Sequence, residues 1–205
     1  AKWENIGIKA LKPQVIEKLK VFHIALNTED DRQPALQRAL EGWGEYRQLD
    51  WRAGRNRLQD DILRESAFEP HLVFMQIQSD GVVNPMTLQR YKQKTDAFMV
   101  NWNGDVRPTP QAWMGQVGEV VDLTLITNKS QIADYESMGC QRVGYLQIGY
   151  DEKMFYPKKT KKTQDVIFLG SNYGCLILWF AVMAGRNMMG WLTIPQRRSY
   201  TGSRR

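Results

Sequence analysis

The 205-residue chain is long enough for one large domain, or for one domain and part of a second. Its hydrophobic fraction of 42% and charged fraction of 24% are ordinary for a soluble globular protein, and no apolar run approaches the ~20 residues of a membrane span. A net charge of +6 invites a nucleic-acid reading, but from Cys175 onward the chain holds Arg186, Arg197, Arg198, Arg204 and Arg205 and no acid. The rest is close to neutral, so the basic charge belongs to the tail and argues against nucleic-acid binding.

Residues 1–19 are expected to hold a lead-in helix, Pro13 to Lys20, with Val15, Ile16 and Leu19 on one side. Lys20–Leu26 reads as the first strand and the polar Asn27–Asp31 as its exit loop. Pro34 opens a helix with Leu36, Leu40 and Trp43 at helical spacing. No Gly-x-Gly-x-x-Gly follows that strand, so no dinucleotide cofactor is expected. His23, inside the strand, reads as a packed histidine rather than a catalytic base. Glu45–Arg52 alternates as a second strand nearer an edge. Asn56–Ser66 is a helix with Leu58, Ile62 and Leu63 inward, and Pro70 ends it. His71–Ile77 is a third strand, leaving Gln76, Gln78, Ser79 and Asp80 at its carboxyl end. Asn84-Pro85 is a cap followed by a first-turn proline, opening a helix with Met86, Leu88 and Tyr91.

The stretch Phe98–Arg107 begins apolar and ends in a polar cluster. Phe98, Met99 and Val100 read as a buried strand, and Asn103, Gly104, Asp105 and Arg107 fall where it stops. Pro108 and Pro110 suit the first turn of the next helix, about Gln111 to Val120, which carries Trp113 and Val117. Asn-Gly-Asp is also a common turn, so turn and site both stand at this point. Asp122–Thr127 is a fifth strand. Asn128-Lys-Ser130 caps a helix with Ile132 and Tyr135 inward and Gly139 as its stop, and Arg142–Ile148 is a sixth strand. Alternating strands and helices predict an α/β, Rossmann-like parallel sheet with helices on both faces. Right-handed crossovers then bring the loops at 27–31, 78–80, 103–107 and 127–129 to one edge.

Beyond Ile148 the pattern changes. Residues 20–157 form the first domain, 158–164 a charged linker, and 165–174 a new strand with a Gly/Ser/Asn loop. Residues 175–205 form an atypical, partly disordered tail. The two cysteines, Cys140 and Cys175, make no ligand set or disulfide framework, and a reducing cytoplasm is the simplest fit. No His/Cys/carboxylate spacing resembles a metal site, and no Gly-x-Ser-x-Gly elbow is present. Trp102, beside the polar cluster, is the best candidate for stacking on a ligand, whereas Trp43 and Trp113 read as packing.

Val100–Arg107, Asp122–Asn128 with Gly139, Gly149-Tyr-Asp151 with Phe155 and Pro157, and Asp165–Gly174 stand in an order that resembles the two-Rossmann-domain (GT-B) group-1 glycosyltransferases. That group includes the spore-maturation-protein-like glycosyltransferases. The resemblance covers about residues 20–174. It implies that the first domain holds most of the acceptor site and the second binds a nucleotide-sugar donor. On it, Asn103 and Asp105 are catalytic candidates, with Asp105 either a general base on an acceptor hydroxyl or a group that orients it. Arg107, Trp102 and Asn128 contact substrate, while Gly170, Ser171 and Asn172 approach the donor diphosphate. The second domain is expected to be truncated, by a natural end or a frame change near Gly174, which would leave the chain inactive as it stands. The alternative is a non-catalytic Rossmann-like binding or interaction domain.

Overall fold

The computed structural model describes residues 18–27, 32–52, 56–157 and 159. The strand elements are β1 (Leu19–Ala25), β2 (Gly44–Asp50), β3 (Leu72–Met75), β4 (Phe98–Asn103), β5 (Leu123–Ile126) and β6 (Val143–Tyr145). They form one six-stranded sheet in the order β2-β1-β3-β4-β5-β6, parallel throughout. The helices α1 (Pro34–Glu41), α2 (Leu58–Arg64), α3 (Pro85–Lys94), α4 (Ala112–Gly118) and α5 (Ile132–Ser137) alternate with the strands. This is a Rossmann-like α/β architecture.

Period-two alternation decides what each face of the sheet meets. Phe22, Ile24, Val73, Met75 and Met99 face α2, α3, α4 and α5 and share the main core with Leu58, Ile62, Leu88, Tyr91, Trp113 and Val117. Val21, Phe74 and Val100 face the other way, where α1 supplies Leu40 and Leu36. The central strand β1 is buried on both faces, while the edge strand β2 alternates between partly covered and exposed residues. Apolar runs in the interior and alternation at the rim are what a parallel sheet covered on both faces requires.

Local chemistry sets the element ends. The Asn84 side chain accepts from Met86 N at 2.9 Å, capping α3 ahead of Pro85. Gly139 has φ +95 in the turn after α5. Asp122 ties the start of β5 to its neighbours, accepting from Met99 N (2.8 Å) and Lys92 Nζ (2.7 Å).

Several expectations are corrected. Leu19 and Lys20, read as the end of a lead-in helix, belong to β1; the remainder of that helix lies outside the described residues. Trp43 is not core: α1 stops at Glu41, and Trp43 stands 52% exposed in the turn before β2. Phe98, read as buried, is 38% exposed at the start of β4. Met86 is exposed on α3. Pro108 and Pro110 precede α4 and do not form its first turn, since the cap position is Gln111. All the elements belong to a unit spanning residues 1–155. The linker and the segments at 165–174 and 175–205 fall in a second unit, of which only residues 156, 157 and 159 are described.

Candidate functional site

β4 runs to Asn103, so alternation places Asn101 and Asn103 on the face of the main core and Trp102 on the other. Past the end of β3, the Asn101 side chain takes over the sheet's hydrogen bonding: its Oδ1 accepts from Ile77 N at 3.0 Å. Its Nδ2 donates to Asn103 Oδ1 at 3.3 Å. The chain then turns at Gly104. With its amide oriented to suit its neighbours, Gln78 accepts from Gly104 N (3.2 Å) and donates to Asp105 Oδ2 (2.9 Å). Arg107 Nη2 donates to the Gln78 carbonyl at 2.8 Å and lies 3.8 Å from Asp105 Oδ2. From the β5 side, Thr127 Oγ1 donates to the Gly104 carbonyl (3.2 Å) and Gln131 Nε2 to the Arg107 carbonyl (2.6 Å). The loop is therefore pinned from both sides, while the Asp105 side chain stands 68% exposed at the carboxyl edge of the sheet. An ion pair this long and this exposed contributes about 0–1 kcal/mol, so its effect is orientation rather than stability.

Asp105 and Arg107 thus meet in the loop, whereas Asn103 is buried at the end of β4 at 3% exposure. Trp102 stacks at a tilt on Phe74, 6.5 Å between ring centroids, and its Nε1 donates to the Leu146 carbonyl (3.3 Å). Only the edge of its ring comes near Gly104. Asn128 uses its side-chain oxygen locally, accepting from Ser130 N (3.1 Å) and Ser130 Oγ (2.8 Å) to cap the 3-10 turn Lys129–Gln131. Gly170, Ser171 and Asn172 lie outside the described residues.

A second polar group sits where the strand order reverses, between β1 and β3, the place where open α/β sheets form a crevice. His23 is 2% exposed, with Nδ1 2.8 Å from Tyr46 Oη and Nε2 2.9 Å from Gln76 Oε1. Gln76 Nε2 in turn donates to Gln33 Oε1 (2.8 Å), so its oxygen faces His23. That fixes the neutral tautomer: Nε2–H donates to Gln76, and Nδ1 accepts from Tyr46. Burial, opposed by the Gln76 hydrogen bond, lowers the His23 pKa from 6.5 to about 4. Burial and then the charge of Glu41 push the Tyr46 phenol up. Gln33 holds a left-handed backbone, φ 47 and ψ 54, and its Nε2 donates to the Leu26 carbonyl (2.6 Å). The packed-histidine reading of His23 holds, and Gln76 lies at the carboxyl end of β3 as read from the sequence, but Gln33 and Tyr46 had no local signal, because only the fold makes them neighbours of this pair.

After β6 the chain makes a strap. Leu146 N donates to the Ile126 carbonyl (2.9 Å), and five residues on Asp151 receives Arg38 of α1 at 2.8 Å through both oxygens. Asp151 Oδ1 also accepts from Lys153 N (2.9 Å), closing a turn. The Arg38 bond holds the Asp151 carboxyl below its ordinary pKa, against partial burial, with Lys153 N adding to the effect. An open groove of about 670 Å³ runs between α1 and this strap, away from Asp105. The charges of Arg38 and Asp151 neutralise each other there, so the groove offers a ligand little that is specific.

Among the described residues no cluster of His, Cys, Asp and Glu is arranged to hold a metal ion, and no helix is long and apolar enough to cross a membrane. No protein-family model matches the chain, and no curated protein matches it.

Proposed function

We propose that residues 20–157 are the acceptor-side domain of a glycosyltransferase. The observation that carries this reading is Asp105: a carboxylate oriented by Gln78 and Arg107 and presented at the carboxyl edge of a parallel sheet. On this reading an acceptor hydroxyl docks against Asp105. As its oxygen bonds to the anomeric carbon of a nucleotide sugar, the bond from that carbon to the diphosphate breaks and the nucleotide leaves with the electron pair. Asp105 takes the hydroxyl proton. Arg107 orients Asp105 and offsets the charge of a neighbouring phosphate. The resemblance of Gly149-Tyr-Asp151 with Phe155 and Pro157 to the interdomain segment of GT-B enzymes supports the same reading.

The exposure of Asp105 favours a second reading, a non-catalytic glycan- or nucleotide-binding domain, because nothing among the described residues excludes water from it. Saturation-transfer NMR with a panel of mono- and disaccharides tests the first reading. Saccharide contacts that weaken several-fold in Asp105→Asn are expected. A panel that touches neither protein refutes the acceptor site.

A further inference from the structure

The two faces of the sheet are covered unequally. The buried side chains of α2, α3, α4 and α5 all belong to the main core, where Phe22, Val73, Met75 and Met99 are fully buried. On the other face α1 is the only α-helix among the described residues, and because it joins β1 to β2 it covers that end of the sheet. The strap runs from Trp102, whose Nε1 meets the Leu146 carbonyl, to Arg38 on α1. Neither element reaches the amino ends of β3 and β4. There Val21, Leu72 and Phe98 stand side by side in register on β1, β3 and β4, with Phe74, Val100 and Leu123 in the next row. Exposure rises along the first row from none at Val21, through the partly buried Leu72, to 38% at Phe98. Parallel sheets occur almost only with both faces covered, so this apolar row calls for an occupant.

Residues 1–17 lie outside the described residues and join the fold through Lys18, directly before Leu19 at the amino end of β1. Leu19 shares the face of Val21, two positions on, and is only partly buried. Neighbouring strands are about 4.8 Å apart, which puts β4 about 10 Å across the sheet from β1. A chain spans at most about 3.6 Å per residue, so Ile16 and Val15, just ahead of Leu19, reach that distance. Both are apolar, as are Leu11, Ile8 and Ile6 before them. The chain beyond the strap is the competing occupant, but it sets out from beside Arg38 of α1, whereas Lys18 stands at the open row itself. We propose that the row Leu72–Phe98 is the docking surface of the amino-terminal segment, with Val15 and Ile16 packed on Leu72 and Phe98. The contact stands independently of the acceptor-side reading, since it lies at the opposite end of β4 from Asp105.

The test is NMR of the full chain labelled in its Val and Ile methyl groups and Phe rings. Nuclear Overhauser contacts from the Val15 and Ile16 methyls to the Phe98 ring are expected, and Phe98→Ala should remove them. A mixture of labelled and unlabelled chains separates contacts within one chain from contacts between copies. Ile16→Asp puts a charge against the row, and it should lower Tm by about 2–4 °C and raise the binding of a hydrophobic dye several-fold. If that variant does not fold, the wild-type contacts provide the decision. Absence of those contacts, occupation of the Phe98 ring by residues beyond 157 or by a second copy, or a folded Ile16→Asp unchanged in Tm and dye binding overturns the proposal.

Discussion

His23 makes acid stability a direct readout of the crevice between β1 and β3. In the unfolded chain a histidine titrates near its ordinary 6.5; in the fold, burial between Tyr46 and Gln76 lowers His23 to about 4. Above 6.5 both states are neutral and the full stability is present. As pH falls from 6.5 toward 4, the unfolded chain binds a proton that the folded chain refuses, so stability declines. A shift of this size corresponds to about 3 kcal/mol, a large share of a typical folding free energy. Urea unfolding of wild type and His23→Gln should be followed from about pH 7.5 to 4. Carboxylates titrate in the lower part of this range in both proteins, so the informative quantity is the difference between them. The stability of the wild type relative to the variant should fall by about 3 kcal/mol across the range. A difference that stays constant with pH would mean that His23 is not a buried neutral bridge, and the tautomer assigned above would fail with it.

Three further outcomes follow from the same packing. Asn84→Ala removes the α3 cap and should cost about 1 kcal/mol in equilibrium unfolding; a neutral result would show that Pro85 alone fixes the helix start. Gly44→Ala should destabilise by about 1–3 kcal/mol, because φ is +151 and an added Cβ would run into the Leu19 backbone where β2 pairs with β1. An unchanged Tm would contradict that geometry. Asp151→Asn should speed tryptic cleavage after Lys153 at neutral pH, since the strap loses its charge-assisted bond to Arg38. The lowered Asp151 pKa means that this contribution is complete above the ordinary carboxylate range and is lost as pH falls through the folded value, so wild type and variant should converge in acid. Equal cleavage rates at neutral pH would rule out the strap as described.

What was legible in the sequence was local. Apolar runs at β1 and β3, the Pro34 and Pro85 helix starts, the Asn84 and Asn128 caps and the Gly139 stop each depend on residues within a few positions, and each is present. Trp43 was misplaced because helical spacing continues past Glu41, whereas the chain turns at Gly42 to bring Gly44 beside Leu19. The polar cluster that ends β4 was legible, but not its geometry. β4 extends to Asn103, which turns Asn103 into the core and Trp102 onto the opposite face. Gln78 and Gln131 reach the Asp105 loop from other parts of the chain, and His23 meets Gln76 across 53 positions of sequence, contacts that only the strand order creates.

The most direct test of the acceptor-side reading is sugar transfer from a panel of nucleotide sugars. It should be run on this chain and on the chain continued by a complete second Rossmann-like domain. The expected result is transfer by the continued chain, reduced about 10²–10⁴-fold by Asp105→Asn. Absence of transfer in both forms, or transfer indifferent to Asp105→Asn, would contradict the role given to the carboxyl edge of this sheet.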